Sequence, residues 1–233
     1  MPKKPLILAL LAGLALSGAA QATLHDRGGG MIYDDVLKIT WLKDANYAKT
    51  SGYSANKGLM DWTAANTWAN NLSYGGYTDW RLPTMVDTGA SGCEEWAYTG
   101  TDCGWNVQTV SGSTVYSEMA YMYYVNLDNK GYFDTSGNSP QPGWGLVDDP
   151  LNPNDETLFT NLEEAYLQWS GLEYTTPSDY AWLFSMGDGL QAQYEKTIEL
   201  FAWAVRSGDV AEPSTLVLLG LAMAGLGALR RRG

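Results

Sequence analysis

The sequence predicts an α+β fold: a single domain with an antiparallel sheet and two helices, set between two terminal segments that lie outside the fold. Three observations lead there. Apolar residues recur at helical spacing in two early segments and as short strand-like runs in the last third. Helical and strand segments are segregated, without regular βαβ alternation, which favours an antiparallel sheet. Both ends carry uncharged apolar runs beside basic residues, a pattern of export and membrane-sorting segments.

The elements follow in chain order. Lys3 and Lys4 precede the apolar run Leu6 to Leu16, and Ala20-Gln21-Ala22 supplies the small-x-small pattern read by a signal peptidase. Residues 1–22 are therefore expected to be a signal peptide, with cleavage between Ala22 and Thr23. The domain is expected over 23–208, with His25 and three glycines (Gly28 to Gly30) as its lead-in. Met31 to Tyr33 and Val36 to Trp41 are β-prone runs around Asp34-Asp35, read as a hairpin. Leu59 to Leu72 reads as a helix. Asp61 caps it, Trp62, Ala65, Ala69 and Leu72 share a face, and Gly75-Gly76 stop it. Ser117 to Leu127 is the second helix, striped by Met119, Met122, Tyr123 and Leu127. Pro140 to Glu156 reads as a long surface loop. Tyr166 to Tyr174, Ala181 to Met186, Leu190 to Tyr194 and Leu200 to Arg206 read as strands, with a hairpin turn at Gly187-Asp188-Gly189.

Residues 209–233 form the other terminal segment. Glu212-Pro213-Ser214 precede an apolar run, 215–229, closed by Arg230, Arg231 and Arg232. As a helix that run spans roughly 22 Å, short of the ~30 Å hydrocarbon core. It is expected to be a marginal, transient membrane anchor, with the arginines snorkelling to the cytoplasmic interface.

Composition excludes two classes of function. The chain carries 14 Lys+Arg against 26 Asp+Glu, a net charge of −12. Such a surface repels phosphate backbones, so no nucleic-acid binding is expected. One His and two Cys are too few for a Cys/His zinc site. Over residues 23–212, without the removable ends, the chain keeps nine bases and all 26 acids, a net charge of −17. That favours neutral sugars, local arginine contacts or a calcium bridge over capture of an anionic polymer by the bulk surface.

The candidate functional residues are few. Cys93 and Cys103, in an exported chain, are expected to form a disulfide; a redox or copper-binding thiol pair is the alternative. Trp96, Trp105 and Trp144 lie in loop-like segments and offer faces for sugar rings, although most of the ten tryptophans should pack the core. Arg81 either contacts anionic sugar groups or pairs internally with a carboxylate, Asp79 or one distant in sequence; the internal pairing is favoured, as it is for Arg206. Asp148, Asp149, Asp155 and Glu156 offer oxygen ligands for calcium, with a solvated acidic loop as the plainer reading. No other cofactor is expected. Two carboxylates at glycosidase spacing cannot be nominated among so many acids, and His25 beside the cleavage site gives no support for a catalytic triad.

Two resemblances add to this. Val210-Ala211-Glu212-Pro213-Ser214-Thr215-Leu216, the Gly-rich apolar run and the closing arginines resemble a PEP-CTERM sorting signal, with Ala211 where the motif has its first Pro. The resemblance implies a Gram-negative cell, export to its envelope, surface or matrix, and cleavage by an exosortase near Glu212-Pro213. It also links the chain to exopolysaccharide and biofilm production. Tyr77-Thr78-Asp79-Trp80-Arg81-Leu82-Pro83-Thr84, with Ile39 to Ala45, Trp169-Ser170-Gly171 and Ala202 to Arg206, resembles the Lcl C-terminal domain family. That family was long labelled only as a domain of unknown function. It implies a C-type-lectin-like, sulfatase-modifying-factor-like fold and a ligand-binding scaffold, with glycan or glycosaminoglycan binding in some members and no agreed catalytic residues.

The expectation is thus a non-enzymatic exported protein that binds polysaccharide. A structural matrix protein contacting other proteins is the alternative, followed by a carbohydrate-active enzyme.

Overall fold

The computed structural model describes residues 24–89, 97–146, 158–162, 167–175 and 178–210. The expected signal peptide (1–22), the 215–229 run and the Asp148 to Glu156 cluster lie outside the described residues. Among the described residues no helix is long and apolar enough to cross a membrane.

Among the described residues the protein is mostly sheet with few helices, and the paired strands within each sheet run antiparallel. The large sheet takes strands β1 (Leu24–Asp26), β2 (Met31–Asp34), β3 (Ile39–Leu42), β10 (Val205–Ser207) and β4 (Trp80–Arg81), in that spatial order. The expected hairpin forms here: Met31 pairs with Leu42 and Asp34 with Ile39. Asp34 builds its turn, its Oδ1 accepting from the amides of Val36 at 2.9 Å and Leu37 at 2.8 Å. All four residues of β3 are buried, because β2 and β10 flank its edges and side chains cover both faces.

The expected single sheet is in fact divided. A three-stranded sheet holds β7 (Leu167–Glu173), β8 (Tyr180–Ser185) and β9 (Gln191–Glu195), and a small ribbon holds β5 (Val110–Ser111) and β6 (Thr114–Val115). The run from Leu200 to Arg206 explains the division. Phe201 exchanges main-chain bonds with β7, from the Trp169 amide and to the Leu167 carbonyl, both 3.0 Å. Four residues on, Val205 has entered the large sheet beside Trp41 and Arg81. One extended segment therefore stitches two sheets rather than forming a single seven-residue strand of one sheet.

The helices are short. The first, α1 (Tyr47–Thr50), was not foreseen. α2 (Trp62–Asn70) starts on Asp61, whose carboxylate accepts from the Ala64 amide, and buries Ala65, Trp68 and Ala69. Gly75 and Gly76 do not end it. They form a tight turn at φ +61° and +85°, and Tyr74 and Tyr77 exchange both amide–carbonyl bonds across it at 3.0 Å. The second expected helix divides into α3 (Glu118–Tyr121), capped by Ser117, and a π-helical turn (Met122–Asn126). Met119, Met122, Tyr123 and Leu127 are all buried, as the stripe predicts.

Trp41, Trp80, Trp169, Trp182 and Trp203 are fully buried. With Trp68 and Trp105, seven of the chain's ten tryptophans are core. Burying a large apolar side chain contributes about 1.5–3 kcal/mol. The indole of Trp203 packs 4.6 Å from Trp41 and donates to the Leu42 carbonyl at 2.6 Å, fastening the incoming C-terminal segment to β3.

Candidate functional site

The loop from Asp128 to Leu146 carries the candidate site. It leaves the π-helical turn and is pinned at several points. Tyr123 donates its hydroxyl to the Lys130 carbonyl at 2.8 Å. The Gly145 amide returns to the same carbonyl at 3.0 Å, and the Tyr132 amide donates to Asp188 in the β8–β9 turn at 2.8 Å. The Gln141 side chain donates to the carbonyls of Gly131 at 2.6 Å and Phe133 at 3.1 Å. Asp134 closes the tip, accepting from Ser136, Asn138 and the Asn138 side-chain amide. Those bonds, the Asn138 side chain first, hold its carboxyl below the ordinary value.

A run of aromatic rings follows from this pinning. Trp144 is 42% exposed and meets Tyr132 edge-on, with centroids 4.8 Å apart. Tyr132 meets Phe133 at 5.0 Å, and Phe133 meets Trp105 at 4.5 Å and Tyr98 at 4.9 Å. The two Tyr132 contacts are edge-to-face and the two Phe133 contacts to Trp105 and Tyr98 are tilted, and such packing fixes ring orientation as well as position. Asn106 locks the inner rings, donating to the carbonyls of Tyr98 at 2.8 Å and Phe133 at 3.0 Å. The result is an exposed indole braced by a rigid aromatic stack.

The sequence-predicted residues fare differently. Trp144 stands at the surface as expected. Trp105 does not: it is 6% exposed, its ring covered by Phe133 and Tyr98, because the loop folds back over it. Trp96 lies outside the described residues. So do Cys93, Asp148, Asp149, Asp155, Glu156, Ala22, Thr23, Glu212 and Pro213. Cys103 is buried. Among the described residues no group of three or more His, Cys, Asp or Glu is placed to hold a metal. Tyr132, the residue that braces Trp144, was missed; its only sequence signal is the Tyr-Phe pair at 132–133 in a Gly/Asp-rich stretch.

Arg81 pairs with Glu118, not with Asp79. Its Nη1 and Nη2 each donate to one carboxylate oxygen at 2.7 Å. Glu118 is buried, and its Oε2 also accepts from the Thr84 amide at 2.7 Å. Asp79 is taken by Arg206, through Nε at 2.8 Å and Nη2 at 3.0 Å, and that partner holds the Asp79 carboxyl below its ordinary range. The same guanidinium lies 3.9 Å from the Tyr77 ring centroid. Arg27 completes the set by pairing with Asp209. Every arginine among the described residues is thus neutralised by a two-point carboxylate contact.

A second surface feature lies on β8 and β9. An open groove of about 560 Å³ is lined by Tyr180, Gln193, Tyr194, Glu195 and Ile198. Tyr194 and Ile198 are exposed.

Comparison with known proteins places these features. The family model of the Lcl C-terminal domain matches residues 30–206. The chain belongs to the Lcl C-terminal domain family. A PEP-CTERM protein-sorting motif matches residues 209–232, which marks the chain for exosortase processing and export to the cell envelope or surface. No curated protein and no solved structure gives a match.

The blocks that carry the Lcl likeness meet one another in space. Asp79 holds Arg206, Trp80 opposes Arg206 across the β4–β10 ladder, and Trp41 packs on Trp203. The Pro83 carbonyl accepts from the Gly171 amide at 2.8 Å and the Ser170 hydroxyl at 3.2 Å. The signature of this Lcl domain is therefore its internal frame. The aromatic stack and the groove use other residues.

Proposed function

We propose that this Lcl domain is a non-enzymatic, exported surface protein that binds polysaccharide by stacking a sugar ring on Trp144. The exposed indole carries the reading. It is braced edge-on by Tyr132 at 4.8 Å and stands on a loop of an otherwise well-packed domain. An aromatic face meets the apolar face of a pyranose, and a pre-ordered side chain loses little entropy on binding. The paired arginines favour a neutral sugar, since none among the described residues is left as an open site for carboxylate or sulfate groups. The lectin-like resemblance of the family points the same way. No cofactor is invoked, and calcium is kept as a variable in the test.

The test is binding of the exported protein to a panel of neutral and acidic polysaccharides, with and without calcium. Neutral glycans are expected to bind, and Trp144→Ala to weaken them at least tenfold, about 1.4 kcal/mol, with unchanged thermal unfolding. A blank panel abandons the reading. It would favour a matrix protein contacting other proteins, for which Tyr194 and Ile198 beside the β8–β9 groove are the exposed side chains to test.

A further inference from the structure

The folded body runs into the sorting motif. The motif match begins at residue 209, yet Asp209 and Val210 are packed on the domain. Arg27 grips the Asp209 carboxylate, Nε to Oδ1 at 2.9 Å and Nη2 to Oδ2 at 2.6 Å. From the other side Arg206 donates through Nη1 to the carbonyls of Gly208 at 3.4 Å and Asp209 at 3.1 Å. Gly208 is fixed twice more, its carbonyl accepting from the Thr40 hydroxyl and its amide donating to the Lys38 carbonyl, both at 2.7 Å. Asp209 Oδ1 also accepts the Val210 amide at 2.7 Å, and Val210 is 3% exposed.

Only Ala211 and Glu212 separate this buried valine from Pro213. A protease that grips its substrate as an added strand needs several consecutive residues with free main-chain groups. On the domain side of the tail those residues are engaged. Cleavage there requires local opening, and its rate follows the population of the opened form.

We propose that the Arg27–Asp209 clamp limits removal of the sorting tail: residues 209–210 must lift from Arg27 and Arg206 before the cut, and the retained chain ends beyond Val210. The inference rests on the exosortase reading of the motif. The reaction breaks one peptide bond. Its carbonyl carbon passes to water or an amine, and the tail leaves with a new amino terminus. The clamp joins the two ends of the domain, because Arg27 directly follows β1. It closes only once the first strand is in place. A folded domain then dwells at the membrane, held by a short connection.

The test follows the full chain in cells carrying its exosortase, by pulse-chase and intact mass. Arg27→Gln is expected to speed trimming several-fold. A four-residue Gly-Ser insertion after Val210 is expected to speed it too, and to make Arg27→Gln without further effect. Lys43→Gln, which breaks the neighbouring Lys43–Asp26 pair, is expected to leave the rate unchanged and so controls for general loosening of β1. Equal rates for wild type and Arg27→Gln overturn the clamp. So does an Arg27→Gln effect that persists with the spacer. If no variant is trimmed, the exosortase reading fails, and the clamp falls with it for that separate reason.

Discussion

Asp34 shows how one side chain sets a pH response. It is 0% exposed, and its contacts are neutral donors: the amides of Val36 and Leu37, and the Asn126 side chain at 2.7 Å. Burial pushes its carboxyl above the ordinary 3.8 despite those bonds, and neighbouring Asp35 adds to the rise. Burial and the same two carboxylates push the Tyr121 hydroxyl up to about 12. Because the folded state holds the Asp34 proton more tightly, ionised Asp34 subtracts stability above its folded pKa, and the loss is relieved as pH falls through it. Asn126 Oδ1 is buried without a partner. Asp34→Asn supplies an amide N–H that a rotated Asn126 can accept. The variant should be at least as stable as wild type at pH 7, with the advantage shrinking toward pH 4. Urea titrations at both pH values check this; a loss above about 2 kcal/mol at pH 7 refutes it. Arg81 behaves in the opposite sense. Arg81→Ala leaves buried Glu118 without its cation and should cost about 3–5 kcal/mol, read as a shifted denaturation midpoint. The sequence showed that Arg81 needs a carboxylate. It did not find Glu118, 37 positions away, because such a partner is chosen by how α3 packs on β4. Asp79 is adjacent in sequence, but the Trp80–Arg206 register delivers it to Arg206.

At the scale of elements, local chemistry was legible and global pairing was not. The Asp61 cap, the Ser117–Leu127 stripe and the Gly187–Gly189 turn are set by residues within one or two turns of chain. The π-helical turn and the divided sheet depend on distant partners, so no local period reports them. The β8–β9 turn also supports the aromatic loop. Gly189 has φ +79°, and a Cβ there would collide with the Tyr124 hydroxyl. That hydroxyl donates to the Gly189 carbonyl at 2.7 Å and accepts the Asn106 amide at 3.0 Å. Gly189→Ala should therefore destabilise by about 2 kcal/mol or more, from left-handed backbone strain plus lost packing. Thermal unfolding measures it. A shift under 1 °C would mean that the turn relaxes freely.

For the whole molecule, charge decides between ligand classes. The domain carries a strong negative excess, and its arginines are internally matched. Binding to a neutral glycan should change less than twofold between 50 and 500 mM salt, because no counterions are released on association. A steep fall with salt would instead reveal an anionic ligand held by the remaining lysines. The platform itself was half legible. Trp144 was reachable from loop composition, whereas burial of Trp105 was not, since the two lie in similar glycine-rich surroundings and differ only in what folds over them.

The strand order of the large sheet bears on how the protein is made. β10 lies between β3 and β4, so early strands flank a place that only the last residues of the domain fill. During export the amino-terminal hairpin emerges first, with the inner edge of β3 unpaired until residues 205–207 follow. The sheet cannot be completed while the chain is still threading, and an open apolar edge is a point of wrong association. The large sheet is therefore completed only in a late closing step, once the last residues of the domain are free to pair. That step places Arg206 against Asp79 and Asp209 against Arg27.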